Sequence, residues 1–199
     1  MVEFVIIAPV LLIIISGLME FGFLLNEYLD LLDGAREAAR FASDDNPFTG
    51  AYADDLDFYI DAGILAEQTS NPVALCDEGP SVLGVCPDDP DDIVRGDVVI
   101  SVFGVADTSG GVVIRRFPTG SGEWSKYGKE TSQFATSDLS ALIDPAAPNT
   151  GVVVVEVFYD YPQKFKLPWI TAFVPDPIKV RTLTIMPLVA AEPTPTPLP

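Results

Sequence analysis

Any chemistry in this chain must come from carboxylates and thiols, because its 199 residues hold 29 Asp and Glu, two Cys and no His. The commonest general base and the commonest metal ligand are therefore missing, which excludes Ser/His/Asp, Cys/His and His-zinc sites. Cys76 and Cys86 have nine residues between them. That is not the spacing of a CxxC redox pair, and two thiolates without further ligands make a poor metal site. In an acidic, exported region they read as a disulfide, whose short loop is worth ~2–3 kcal/mol in the chain-entropy picture. Asp88, Asp89, Asp91 and Asp92 cluster around Pro90. Calcium is one use for such a loop, but the DxDxDG spacing and the twelfth-position glutamate of an EF-hand are missing, so a solvated acidic loop is the preferred reading. No carboxylate pair is set apart as catalytic by its placement; an acidic-dyad hydrolase lacks any supporting motif, and neither an enzyme nor a cofactor is expected. A formal charge of −18 argues equally against nucleic acid, whose phosphates must be met by Lys and Arg.

The mean hydropathy, +0.31, sits oddly beside that acidity, and the first 25 residues explain it. Residues 4–19 carry no charge; Glu20 interrupts, and residues 21–25 resume the apolar run. Residues 4–25 would span ~33 Å as a helix, enough to cross a bilayer core. No Lys or Arg precedes Arg36 and no small-residue cleavage site ends the run. The segment thus reads as retained, with any cationic leader upstream of Met1. Glu3 lies at the start of the run and Glu20 inside it, ~25 Å apart along a helix. An ionised carboxylate at the centre of a membrane helix costs ~2.5–3.5 kcal/mol. One reading lets both groups reach water at the interfaces; a sharper one pairs Glu3 with a cation from a neighbouring chain, such as a free amino terminus. Pro9 removes a backbone donor and is expected to bend or loosen the helix, or to be a tolerated kink.

Beyond Leu25 the pattern changes without a break. Phe21, Leu24, Leu25, Tyr28, Leu31, Leu32, Ala35, Ala38, Ala39 and Ala42 recur at three- and four-residue spacing, an amphipathic stripe. Gly34 costs only about 1 kcal/mol against Ala and is not expected to stop the helix. Fraying is expected near Ser43, before Asp44, Asp45, Asn46 and Pro47. The whole helix would be ~65 Å long.

This segment resembles the N-terminal motif of TadE-like proteins, pilin-like subunits of the tight-adherence branch of type IV filament systems. The pieces that match are Val2-Glu3-Phe4, Pro9, the apolar run, Glu20-Phe21-Gly22 and Ala35-Arg36-Glu37-Ala38-Ala39-Arg40. The resemblance implies a prepilin-type subunit trimmed by a prepilin peptidase, inserted in the cytoplasmic membrane, and assembled with copies of itself by Tad-type machinery. Glu3, Phe4, Pro9 and Glu20 would then serve inter-subunit assembly, with Glu3 neutralising the amino terminus of an adjacent subunit. Pilins usually carry that glutamate fifth after the cut; here it is third.

Residues 41–94 contain thirteen acidic residues and no Lys or Arg, which places them away from the cytoplasm. Residues 54–67 read as a helix capped by Asp54, with Leu56, Tyr59, Ile60 and Ile64 on one face. Residues 98–106, 112–117, 151–160 and 178–186 read as strands, the first two joined by a hairpin turn. Residues 137–143 could add a helical turn or two. The predicted class is α+β and pilin-like: a long helix packed on an antiparallel sheet of about four strands. Three regions are expected, a membrane or filament-core helix at 1–25, an exported head at 26–189 and a Pro-Thr tail at 190–199. The loop between the last two strands collects Tyr161, Lys164, Phe165, Lys166 and Trp169, either as a contact surface for a neighbouring subunit or receptor, or as an ordinary loop with Trp169 beneath it. From Tyr159 to the final strand the sequence loosely resembles the C-terminal part of TadE-like domains. The tail should be extended, a bare spacer or a carrier of sugar on Thr194 and Thr196. The expected function is a structural subunit of a surface filament serving adhesion. A minor pseudopilin and a lone single-pass anchor for an exported binding domain are the alternatives.

Overall fold

The computed structural model describes residues 2–49, 53–76, 94–108, 111–142 and 150–188. Its first element is one unbroken helix, α1 (Val2–Asp44), which runs through Pro9. Its first half is rich in leucine and β-branched Ile and Val and its second in alanine, and no glycine pair interrupts either. A two-strand ladder follows, β1 (Phe48–Thr49) with β2 (Ala53–Asp54), and then α2 (Leu56–Thr69). The cap of α2 is Asp55, which accepts from the Asp57 amide, and not Asp54 as expected. Asp54 instead accepts from the Thr119 amide at 2.7 Å.

The remaining elements are β3 (Gly96–Thr108), β4 (Gly111–Phe117), β5 (Trp124–Ser125), α3 (Thr136–Ser140), β6 (Thr150–Tyr161), α4 (Pro168–Thr171) and β7 (Ile178–Leu188). The large sheet is antiparallel in the order β4-β3-β6-β7, with β5 beside β3. The four predicted strands are all in it, each a residue or two longer except at the start of β7 and the end of β4. α1 packed on this sheet makes the molecule α+β, as the helix and strand patterns predicted.

Both faces of the sheet are covered. On one, Val98, Ile100 and Val102 of β3 and Val153, Val155 and Val157 of β6 join Leu31, Ala35 and Ala38 of α1 in the main core. On the other, Phe103, Val105 and Val154 pack with Phe134 and Leu139 of the segment before and within α3. That explains why β6 is a near-continuous valine run rather than an alternating one. Two buried carboxylates pin the covering segment. Glu156 accepts from Ser132, Gln133 and Arg181; Asp97 accepts from the amides of Tyr127, Lys129 and Glu130 and from the Ser125 hydroxyl.

The buried face of α2 shares Tyr59 with the predicted one but is otherwise turned from it. Phe58, Tyr59, Ala62, Gly63 and Ala66 are buried, while Leu56 is 58 % exposed. Small residues are needed there because α1 comes very close. A Cβ on Gly34 would lie 2.6 Å from the Ala66 carbonyl oxygen and 2.1 Å from Ser70 Oγ. Gly34 is the crossing point of the two helices and not a tolerated weakness.

Candidate functional site

α1 has two halves with different surroundings. Leu31, Ala35, Ala38, Ala39 and Ala42 are fully buried under the head. Ile7, Val10, Leu11, Leu12, Ile13, Ile14, Leu18 and Met19 are exposed. Phe21 and Leu25, which the periodicity assigned to the covered stripe, are exposed as well, whereas Leu24 between them packs against the core. Among the described residues one helix, Ile7–Asp44, is long and apolar enough to cross a membrane; its most apolar window has a mean hydropathy of 2.2 and is 6 % buried.

The junction between the halves is built by the excursion from β6 to β7, residues 162–177. It folds back onto one stripe of α1 formed by Ser16, Glu20, Phe23 and Glu27, whose four-three-four spacing keeps them on a single helical face. Glu20 is the centre. Its Oε1 accepts from the Tyr161 hydroxyl at 2.9 Å and the Lys164 amide at 2.7 Å, and its Oε2 accepts from the Phe165 amide at 3.0 Å. One turn toward the N-terminus, Trp169 Nε1 donates to Ser16 Oγ at 3.1 Å. On the other side the Phe165 ring meets Phe23 at 5.9 Å, and Lys164 Nζ pairs with Glu27 Oε1 at 2.6 Å. Gln163 holds the base of the loop, donating its backbone amide to the Asp176 carboxylate and its Nε2 to the Val174 and Pro175 carbonyls.

Glu20 does not reach water, in contrast to the first reading, for it is only 5 % exposed. Its carboxylate is occupied within its own chain rather than offered to a neighbour. Three donors, two of them backbone amides, provide what a buried carboxylate needs. The Tyr161 phenol is correspondingly pushed well above the ordinary tyrosine value, by burial first and then by its hydrogen bond to Glu20 and that group's charge. The arrangement can hold, orient and anchor; it brings no nucleophile beside a base. Between loop and helix lies an apolar cleft of ≈ 360 Å³, lined among others by Ile13, Gly17, Leu24, Trp169 and Phe173.

Sequence reasoning singled out Glu20 on the helix and, as one cluster in the loop, Tyr161, Lys164, Phe165, Lys166 and Trp169; the structure brings the loop onto Glu20 and buries Tyr161 fully, so that it is no surface contact. It missed Ser16, Phe23, Glu27 and Gln163 as their partners. The signal was present: polar Ser16, Glu20 and Glu27 share one stripe of a greasy helix. Glu3 and Phe4 fall in the first turn of α1 and Pro9 in its third, remote from this junction. Cys76 is buried, at a bridge to Val94; its expected partner Cys86, the acidic 88–92 loop, Thr194 and Thr196 lie outside the described residues. Among the described residues no three His, Cys, Asp or Glu side chains could hold a metal ion together.

No curated protein and no solved structure matches the chain. A family model does: residues 1–40, the apolar half of α1 with the junction and most of its covered half, match the TadE-like protein family.

Proposed function

We propose that the chain is a structural subunit of a Tad-like type IV pilus, an extracellular filament for surface attachment, assembled through its apolar N-terminal helix. The TadE-like match of residues 1–40 supports involvement in a Tad pilus system. One observation carries the finer reading. Most of the first half of α1 is apolar and left uncovered by its own head, the stripe at Ser16 and Glu20 excepted, whereas the second half buries one face under the head. Leaving such a surface in water costs ~25 cal/mol per Å² of apolar area, so it must lie in lipid or against like helices. Before assembly the subunit sits in the cytoplasmic membrane with its acidic head exported. Prepilin peptidase and Tad-type machinery then process it and pack it among copies of itself. Glu3, with Phe4 and Pro9 nearby, belongs to that packing, Glu3 meeting a neighbour's amino terminus. Cys76 and Cys86 close a stabilising disulfide, and Thr194 and Thr196 are the sites where the tail would carry sugar.

Electron microscopy of material sheared from cells tests this directly. Long, thin filaments that contain the chain are expected, and Glu3→Ala should abolish them while its head stays folded by circular dichroism. Chain released only by detergent, never as polymer, would overturn the filament in favour of a lone anchor. Normal filaments from Glu3→Ala would remove the Glu3 pairing.

A further inference from the structure

We propose that residues 163–177 form a membrane-dipping foot, which rests its aromatic side chains in the leaflet on the head side of the bilayer. The proposal deepens the membrane-inserted reading of α1 and rests on it.

Depth is the first argument. The apolar run of α1 ends at Leu25, and the foot is fastened inside that run. Glu20, which receives the amides of Lys164 and Phe165, lies five residues within it, ~8 Å along the axis. Ser16, which receives Trp169, lies nine residues within it, ~13 Å. If α1 spans a membrane over this run, the foot cannot remain in bulk water. Interfacial segments seat their apolar faces ~5–10 Å into the boundary between headgroups and chains.

Surface chemistry is the second. Phe173 is 88 % exposed, and Trp169 and Phe165 are nearly half exposed. Single exposed apolar residues need no explanation, but three aromatic rings on one short loop beside an apolar helix form a belt of the interfacial kind. The loop's two lysines bring no bare charge with the rings, since Lys164 pairs with Glu27 at 2.6 Å and Lys166 lies 3.8 Å from the Asp176 carboxylate.

Backbone pairing is the third, and it is partial, for the amides of Lys166, Leu167 and Trp169 donate to no protein group and would have to meet headgroups or their water. A segment in contact with lipid must pair its own polar groups. Here the amides of Gln163, Lys164 and Phe165 donate to Asp176 and Glu20. Those of residues 170–174 donate to carbonyls within the turn of α4. Pro168, Pro175 and Pro177 have no amide hydrogen to satisfy. Gln163 takes up the Val174 and Pro175 carbonyls. An ordinary surface loop leaves such groups to water. The buried Glu20 carboxylate thereby acquires a purpose, since it closes amides that lipid could not.

The test uses the full chain reconstituted in vesicles of phosphatidylcholine and phosphatidylglycerol, some brominated high on the acyl chain. Emission from Trp169 is the difference between the wild type and Trp169→Phe, the remaining signal coming from Trp124 in the head. Trp169 should emit to the blue, be quenched severalfold more by the brominated lipid than Trp124, and be shielded from aqueous acrylamide. Phe173→Trp, placed in Trp169→Phe at the most exposed ring, should report the same. Should both reporters, Trp169 and the Phe173→Trp substitution, meet acrylamide freely and ignore the brominated lipid, the foot stands in water and the proposal is overturned. Shielding that grows with protein-to-lipid ratio, without bromine quenching, would overturn it in favour of a second copy. Flotation separates the two levels: chain that floats with vesicles but keeps Trp169 in water loses only the foot, whereas chain that does not float loses the membrane reading and the foot together.

Discussion

The two halves of α1 belong to one continuous helix yet have opposite surfaces. In the first, large side chains such as Leu11, Leu12, Ile14 and Leu18 stand exposed; in the second, Ala35, Ala38, Ala39 and Ala42 are wholly buried. Side-chain size on the covered stripe separates them, as does charge on the free face. Bulk suits a half whose neighbour is fluid lipid or a distant helix, while alanine and Gly34 suit a half that α2 approaches to contact distance. Where the two meet, Glu20 ties the helix to the loop that leads from β6 to β7. One helix thus carries two surfaces, with a polar clasp at the boundary.

That contrast can be broken at either end. Leu31→Ala in the covered half should cost about 2–5 kcal/mol of head stability, read from the denaturant midpoint, because it opens a cavity in the main core. Glu20→Ala at the boundary should cost about 1.5–3 kcal/mol, since it strands two amides and a hydroxyl; its local signature is faster hydrogen exchange at Lys164 and Phe165. Tyr161→Phe removes one of those donors and should cost about 0.5–1.5 kcal/mol. Because the folded phenol is held above the ~10 at which an unfolded tyrosine ionises, the wild type should lose stability as the pH climbs past ~10, and Tyr161→Phe should lose less. Leu12→Ala in the bare half should move the head by under ~0.5 kcal/mol while weakening partition into vesicles.

Much of this architecture was legible because it is local. Hydropathy and three-four spacing mark α1 to within a residue of Asp44, and period-two patterns mark β3, β4, β6 and β7. What escaped depended on partners far along the chain. Gly34 reads as a weak spot until Ala66 and Ser70 lie against it, and Leu56 reads as core until the smaller Ala62 and Ala66 are chosen for the close crossing. Glu156 and Asp97 drew no notice in the sequence because the segment that uses them, residues 125–133, has no periodic signature. The clasp joins Glu20 to groups more than 140 residues later, a pairing that no spacing rule reaches, although both of its ends had drawn notice by their residue types.

Whether the bare half of α1 lies in lipid is settled most directly by alkaline carbonate extraction of membranes from cells that make the chain without any filament machinery. Retention of the full-length chain in the membrane pellet is expected. Its release into the supernatant with peripheral proteins would contradict a helix that crosses the bilayer.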